Sequence, residues 1–396
     1  MERKFILSPD CFLWHNGADG LVYNSRTGES YHFHKSPSIG KFCEMMDDMD
    51  NLYTFIIGPE YMTDTEFTSF LSDLESLHFG RMLPAEEKTV SLPPHPFIVN
   101  NADRIAESPD KYDILGYLSA VTIYLGGSHT PNDWFRQTPY PFSSKERLTV
   151  NQLGTFLSQI SRLRSVQVQI VVSDGGSPGI ADIESLSGTG RMSYLFSMES
   201  CLANKEGVES LLKNGREVCI ALSPEEILKA KDSLEPLFME GEQPNLSALV
   251  NDTHKYKAAE TLMGELHAEN FTYMPVWDGK NGFYKDNVLP TKEDVLSTPL
   301  SKRKVFIHQT INLNYWGQLV VMPDGRVYSD VNMSPLGDIR DDIHTQVKNE
   351  LLHNYAWRRV RNGVVCNKCL YKWLCPSPGV YETLSGRPLC REEETM

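Results

Sequence analysis

Four of the eight cysteines, Cys366, Cys369, Cys375 and Cys390, lie beyond residue 360, spaced C-x2-C-x5-C-x14-C. A C-x2-C pair lets two thiolates reach one centre from a single tight turn, and two more complete a tetrahedral set. Four sulfurs with no histidine among them suit a [4Fe–4S] cluster. Zinc is the alternative, although all-cysteine zinc sites more often use two C-x2-C pairs and this chain has one. Four unliganded thiols are the third reading. Disulfides fit poorly, because nothing in the sequence points to secretion. The other cysteines, Cys11, Cys43, Cys201 and Cys219, are scattered.

The chain that must position these thiols has 396 residues, long enough for about two to three domains. It carries 38 basic against 52 acidic side chains, a net charge of −14. Nucleic acid and anionic membranes are therefore not its expected partners. No window approaches the ~20 apolar residues of a membrane helix, and the opening stretch has no signal-peptide core. The expectation is a cytoplasmic protein with reduced thiols. There is no nucleophile elbow, P-loop, zinc-protease motif or paired-carboxylate signature, which disfavours an independent enzyme of unrelated chemistry.

Residues 20–23 and 30–33 flank a Gly-containing turn and predict a β-hairpin. After Pro37, Ile39, Phe42, Cys43 and Met46 mark one apolar helical face. Residues 52–57 read as a strand. Thr63-Asp-Thr-Glu66 reads as a capping box opening a helix with Phe67, Phe70, Leu71, Leu74 and Leu77 on one side. This order, over residues 1–85, resembles the PqqD-like recognition element of peptide-maturation enzymes, a small winged-helix α+β module. The resemblance implies that a leader peptide adds as a strand, and the nominated edge is Glu29, Ser30, Tyr31, His32, Phe33 and His34. A small cap without a ligand is the other reading. His32 and His34 alternate with aromatics and read as strand-surface residues rather than metal ligands.

Prolines 84, 93, 94 and 96 in a polar stretch mark an interdomain linker over 86–112. From 113 to 305, strands at 118–125, 167–173, 192–197, 217–222, 246–251 and 271–276 alternate with helices at 150–163, 205–213, 223–232 and 254–267. That alternation predicts parallel β/α units, and six of them suggest an open, partial (β/α)6 barrel. With a cysteine-rich tail, this looks like the radical-SAM architecture. Such enzymes carry C-x3-C-x2-C in the loop after the first strand. Here that loop, Gly126–Phe135, has no cysteine, and His129 and Asp133 cannot hold such a cluster. After the second strand, Asp174-Gly-Gly-Ser-Pro178 echoes the family's Gly-Gly-Glu-Pro with Ser177 in place of glutamate. The expectation is a degenerate barrel that does not cleave S-adenosylmethionine reductively.

Residues 306–396 are similar to a SPASM domain, beginning with a hairpin at 319–322 and 326–328 around Pro-Asp-Gly325. That family typically carries C-x(9–15)-G-x4-C, then C-x2-C-x5-C-x3-C, then a last cysteine, for two auxiliary clusters. With Gly325 as the motif glycine, the next cysteine position is Asp330. No cysteine lies in the 15 residues before Gly325, and the x3-C position is Gly379. Those positions belong to the first auxiliary cluster. The second cluster's ligands map onto Cys366, Cys369, Cys375 and Cys390, all present.

The string Cys366-x2-Cys-Leu-Tyr-x-Trp-Leu-Cys-Pro-Ser-Pro-x2-Tyr-Glu382 resembles the pseudo-radical-SAM, SPASM-bearing proteins of Bacteroidetes cassettes for ribosomal peptides with double-glycine leaders. The resemblance implies one [4Fe–4S] cluster, a precursor-peptide partner, a catalytic radical-SAM/SPASM partner and a non-catalytic presenting role. Electron transfer through the cluster, or a zinc-stapled interaction protein, are the alternatives. Trp357, Tyr371 and Trp373 read as the cluster's apolar shell. Arg358, Arg359, Arg361, Lys368 and Lys372 read as a solvated basic face.

Overall fold

The computed structural model describes residues 2–94, 114–127, 132–163, 165–174, 176, 178–186, 191–239, 242–280, 282–354, 356–388 and 390. Most of the expected linker, and His129, Gly175 and Ser177, lie outside the described residues.

The N-terminal region contains strands β1 (Arg3–Leu7), β2 (Cys11–His15), β3 (Asp19–Asn24), β4 (Ser30–His34), β5 (Thr54–Ile57) and β6 (Gly80–Pro84). They make two antiparallel three-stranded sheets, β5-β1-β6 and β2-β3-β4. The expected hairpin is β3–β4. Its turn needs Gly28: φ is +81°, and a Cβ there would stand 2.7 Å from Pro299 Cβ.

Helix Pro37–Asp47 is capped by Ser36 and buries Ile39, Phe42, Cys43 and Met46, as its periodicity requires. Helix Thr65–Ser76 buries Phe67, Phe70, Leu71 and Leu74. Leu77, expected on that face, is exposed just past the helix end. The cap is Asp64, not Thr63, because a short helix Pro59–Met62 precedes it and the Thr63 hydroxyl donates to Glu60 O. The strand expected from residue 52 begins at Thr54, since Leu52 and Tyr53 have φ of 49° and 54°.

The large sheet takes β7 (Ala120–Tyr124), β8 (Gln167–Val172), β9 (Arg191–Ser197), β10 (Glu217–Leu222), β11 (Asn245–Val250), β12 (Phe271–Pro275), β13 (Gln318–Val321), β14 (Arg326–Tyr328) and β15 (Gly337–Asp338). Its order is β12-β11-β10-β9-β8-β7-β13-β14-β15. The six expected strands are parallel neighbours in sequence order. β13 of the C-terminal hairpin then pairs parallel with β7, while β14 and β15 run antiparallel. The fold is mixed α/β with a large, mostly parallel sheet. Helices Val150–Ile160, Lys205–Lys213 and Thr253–Glu265 lie near their expected positions. The expected helix at 223–232 is instead a series of turns followed by helix Lys231–Phe238. Glu226 accepts from Ser223 N and from Tyr140 OH, both at 2.7 Å, which ties that turn to a distant loop.

Both faces of the sheet are covered, which is why its strands read as near-continuous apolar runs. Val121, Ile123, Ile170 and Ile220 pack with Phe156, Val208 and Leu262 of the helices. On the opposite face Tyr124, Val171, Leu195, Ala221 and Leu249 meet Trp134, Phe135, Tyr140 and Phe142. No helix among the described residues is long and apolar enough to cross a membrane.

The β2-β3-β4 sheet is likewise sandwiched. Leu13, Val22 and Phe33 face helices Pro37–Asp47 and Thr65–Ser76. Phe12, Leu21 and Tyr23 face Leu300, Val305 and Leu374 near the cysteine-bearing segment. Tyr23 OH donates to Leu300 O at 2.9 Å and accepts from Leu300 N at 2.6 Å.

Candidate peptide edge and thiol site

The candidate edge is built by register. Asn24 N donates to Glu29 O and Lys35 N to Ala18 O, so Glu29, Tyr31, Phe33 and Lys35 turn their main-chain groups toward β3. Ser30, His32 and His34 turn theirs outward. β4 is an edge strand, and among the described residues no main-chain partner meets this outer row. The nominated side chains divide. Tyr31 and Phe33 pack inward on Phe70, and the Tyr31 hydroxyl donates to Asp73. His34 pairs with Asp19 at 2.8 Å on the surface. Glu29 is bonded to Thr27 in the turn. Partial desolvation, then the Lys292 charge, lowers the His32 imidazole below its ordinary value, with Asp19 opposing.

Beside this edge lies a cavity of 520 Å³. β4 and the β2–β3 turn form one wall; Lys292, Cys369, Leu370 and Tyr371 form the other. No local pattern marks this second wall, because Tyr371 stands 339 positions from His32.

The thiol-bearing segment is a string of tight turns. Cys366–Lys368 is a single 3-10 turn, and Cys369 N donates to Cys366 O at 3.1 Å. Cys375 N then donates to Tyr371 O at 2.9 Å. Burial pushes the Cys375 thiol up to about 11, and Arg361 opposes that while Cys369, Cys390 and Cys366 reinforce it. The other three thiols are near enough to Cys375 for their charge to reach it. Among the described residues, however, no three His, Cys, Asp or Glu side chains are arranged to hold a metal ion. The donor set suits a thiolate-bound group chemically; the sulfurs do not form a finished cage.

The arginines near the thiols are not a solvated face. Arg361 donates to Glu382 at 2.8 Å, to Pro376 O at 2.5 Å and toward Cys366 Sγ at 4.0 Å. Arg359 pairs with Asp330 at 3.1 Å, and Arg358 donates to Leu351 O at 2.8 Å. Lys372 lies over the Trp373 ring at 4.2 Å, while Lys368 is exposed. Trp357 belongs to the main core and donates to Gln318 O at 3.0 Å. Tyr371 and Trp373 pack toward the β2-β3-β4 sheet.

Asp330 and Gly379, two positions where the SPASM pattern would have cysteine, line one 350 Å³ cavity with Tyr315 and Tyr381. Asp330 is buried and bonded to Arg359 and to Asn332 N. The loop after β7 folds over the second face of the large sheet. Phe135 stacks on Phe142 at 4.2 Å, and Gln137 exchanges two hydrogen bonds with the main chain of Trp277. Asp133 is exposed. After β8, Asp174 pairs with Arg147 and accepts from Gly176 N.

No family model matches the chain, and no curated protein does. Among solved structures, it is similar to Streptococcus suis SuiB bound to precursor peptide SuiA, at TM-score 0.49 and 13% identity over 98% of each chain. SuiB bound to S-adenosylmethionine gives 0.42 at 12% identity, over 97% of this chain and 98% of that one. Native anSMEcpe with bound AdoMet and Cp18Cys peptide gives 0.41 at 12% identity, over 65% of this chain and 88% of that one. At TM-scores below 0.5, these likenesses transfer no substrate and no residue role to this chain.

Proposed function

We propose that this chain is a peptide-binding accessory protein of ribosomal peptide maturation. It captures a precursor leader and presents the peptide to a catalytic radical-SAM partner. The observation that carries this is the outward row of Ser30, His32 and His34 main-chain groups on edge strand β4, opening beside a 520 Å³ cavity. An extended peptide satisfies such a row by strand addition, and pockets for alternate side chains add selectivity. A presenting rather than a bond-breaking role is supported by the residue types of the loop after β7, where 126–135 contain no cysteine.

In this reading Cys366, Cys369, Cys375 and Cys390 hold one [4Fe–4S] cluster, with zinc as the alternative. Four thiols with the Arg361 guanidinium beside them are suitable donors, since a cation offsets thiolate charge. A bound cluster would supply one-electron chemistry, whereas zinc would only cross-link the segment.

The test is isothermal titration of the full chain with a synthetic double-glycine leader peptide. Saturable binding at one site per chain is expected. Absence of binding at micromolar concentrations overturns the proposal.

A further inference from the structure

The β4 edge faces the cysteine-bearing segment from the opposite end of the chain. Tyr371 OH stands 3.2 Å from His32 Nε2, and the two rings lie 5.3 Å apart. Asn16 Nδ2 donates to Lys368 O at 3.2 Å, the carbonyl immediately before Cys369. Asn16 is itself fixed, because its Oδ1 accepts from Ala18 N at 3.0 Å and Asp19 N at 2.8 Å. Two contacts therefore hold residues 368–371 against the sheet that carries the open edge.

We propose that residues 368–371 are the second wall of the peptide groove, so that peptide occupancy and the state of the cysteine segment are coupled. This rests on the strand-addition reading above. A strand added beside β4 lies about 4.8 Å from it, and alternate side chains project to the same face. His32 pairs across the sheet with Leu21, and Leu21 with Trp14, so this is the face that meets Leu370 and Tyr371. One peptide side chain in two then reaches the 520 Å³ space that opens beside the His32–Tyr371 contact. Leu370 and Tyr371 make its far wall apolar, while the charges at its rim, Asp19 and Lys292, are of opposite sign. The ligand is thus an extended peptide with an apolar or aromatic residue opposite His32, not one selected by net charge.

Coupling between two sites is reciprocal in binding free energy. A peptide that packs on Tyr371 stabilises the turn holding Cys369, and loosening that turn weakens the peptide by the same factor.

Hydrogen exchange of the full, as-purified chain with and without the same leader peptide tests this. Exchange is expected to slow at residues 30–34 and also at 368–371. Titration of Tyr371→Ala is expected to show a roughly tenfold weaker leader, with Tyr371→Phe retaining most of the affinity because the ring wall remains. Protection at 30–34 without protection at 368–371, together with unchanged affinity in Tyr371→Ala, overturns the second wall and leaves strand addition standing. Protection at neither segment overturns strand addition itself, and the second wall with it. The exchange measurement needs no substitution, so misfolding of a variant does not decide the outcome.

Discussion

Among the described residues the Asp330 carboxylate is one of the few buried charges, and Arg359 answers it at 3.1 Å while also lying 4.8 Å from the Tyr315 ring centroid. Removing one partner of a buried pair leaves the other uncompensated. Asp330→Ala should therefore lower stability by about 3 kcal/mol, whereas an apolar pair at both positions should cost far less. Urea midpoints of the single and double variants check this. Asp10 offers a pH signature. Its bond to Lys302 at 2.9 Å, helped by Arg26 and opposed by burial, holds its carboxyl below the usual carboxylate value. A depressed folded pKa contributes stability that is present above the unfolded value of about 3.9 and lost as pH falls through the folded one. Asp10 and Lys302 tie the N-terminal region to helix Lys302–Thr310, so Asp10→Asn should flatten the acid limb below about pH 4. Fluorescence of Trp14 and Trp373, which pack at that junction, reads the transition.

At the scale of elements, β4 makes an unusually clean experiment. Proline removes one main-chain donor, and on an edge strand the cost depends on which way that donor points. Ser30 N points outward and lies at the strand's first position; Tyr31 N points to β3. Ser30→Pro should leave stability nearly unchanged and weaken the leader by about 1 kcal/mol, roughly fivefold. Tyr31→Pro should instead break the β3–β4 ladder and lower the melting temperature. Equal effects of the two on peptide affinity and on melting would argue that the peptide binds elsewhere. The loop after β7 belongs to the same scale. Its aromatic residues give the second sheet face a packed covering, just as the helices cover the first.

Across the whole molecule, the N-terminal β2-β3-β4 sheet meets the region from 300 to 374, and Tyr23 is locked to Leu300 by both main-chain groups. The segment that carries Cys366, Cys369 and Cys375 therefore sits beside the N-terminal region. Protein purified without oxygen should contain about four irons and four acid-labile sulfides per chain, and Cys375→Ala should lose them. Stoichiometric zinc without sulfide would make the segment a structural staple. About eight irons would mean a second cluster, for which Asp330 and Gly379 offer no thiol.

Much of the local structure was legible in the residues. The β3–β4 hairpin, the helical face of Ile39, Phe42, Cys43 and Met46, and the six parallel strands follow from periodicity, which depends only on near neighbours. The spacing of the four cysteines is equally local. β1 and β6 were not legible, because each is five residues long and becomes a strand only through pairing, β1 lying between β5 and β6. The place of Trp357 in the main core, the internal bonds of the three arginines, and the junction of β13 with β7 are likewise tertiary. The sequence by itself determined which groups could do chemistry: four thiols and an extended edge. Only the folded chain decided that Cys369 and that edge line one cavity, since Asn16 and Lys368, separated by 352 positions, meet through packing that no local pattern encodes.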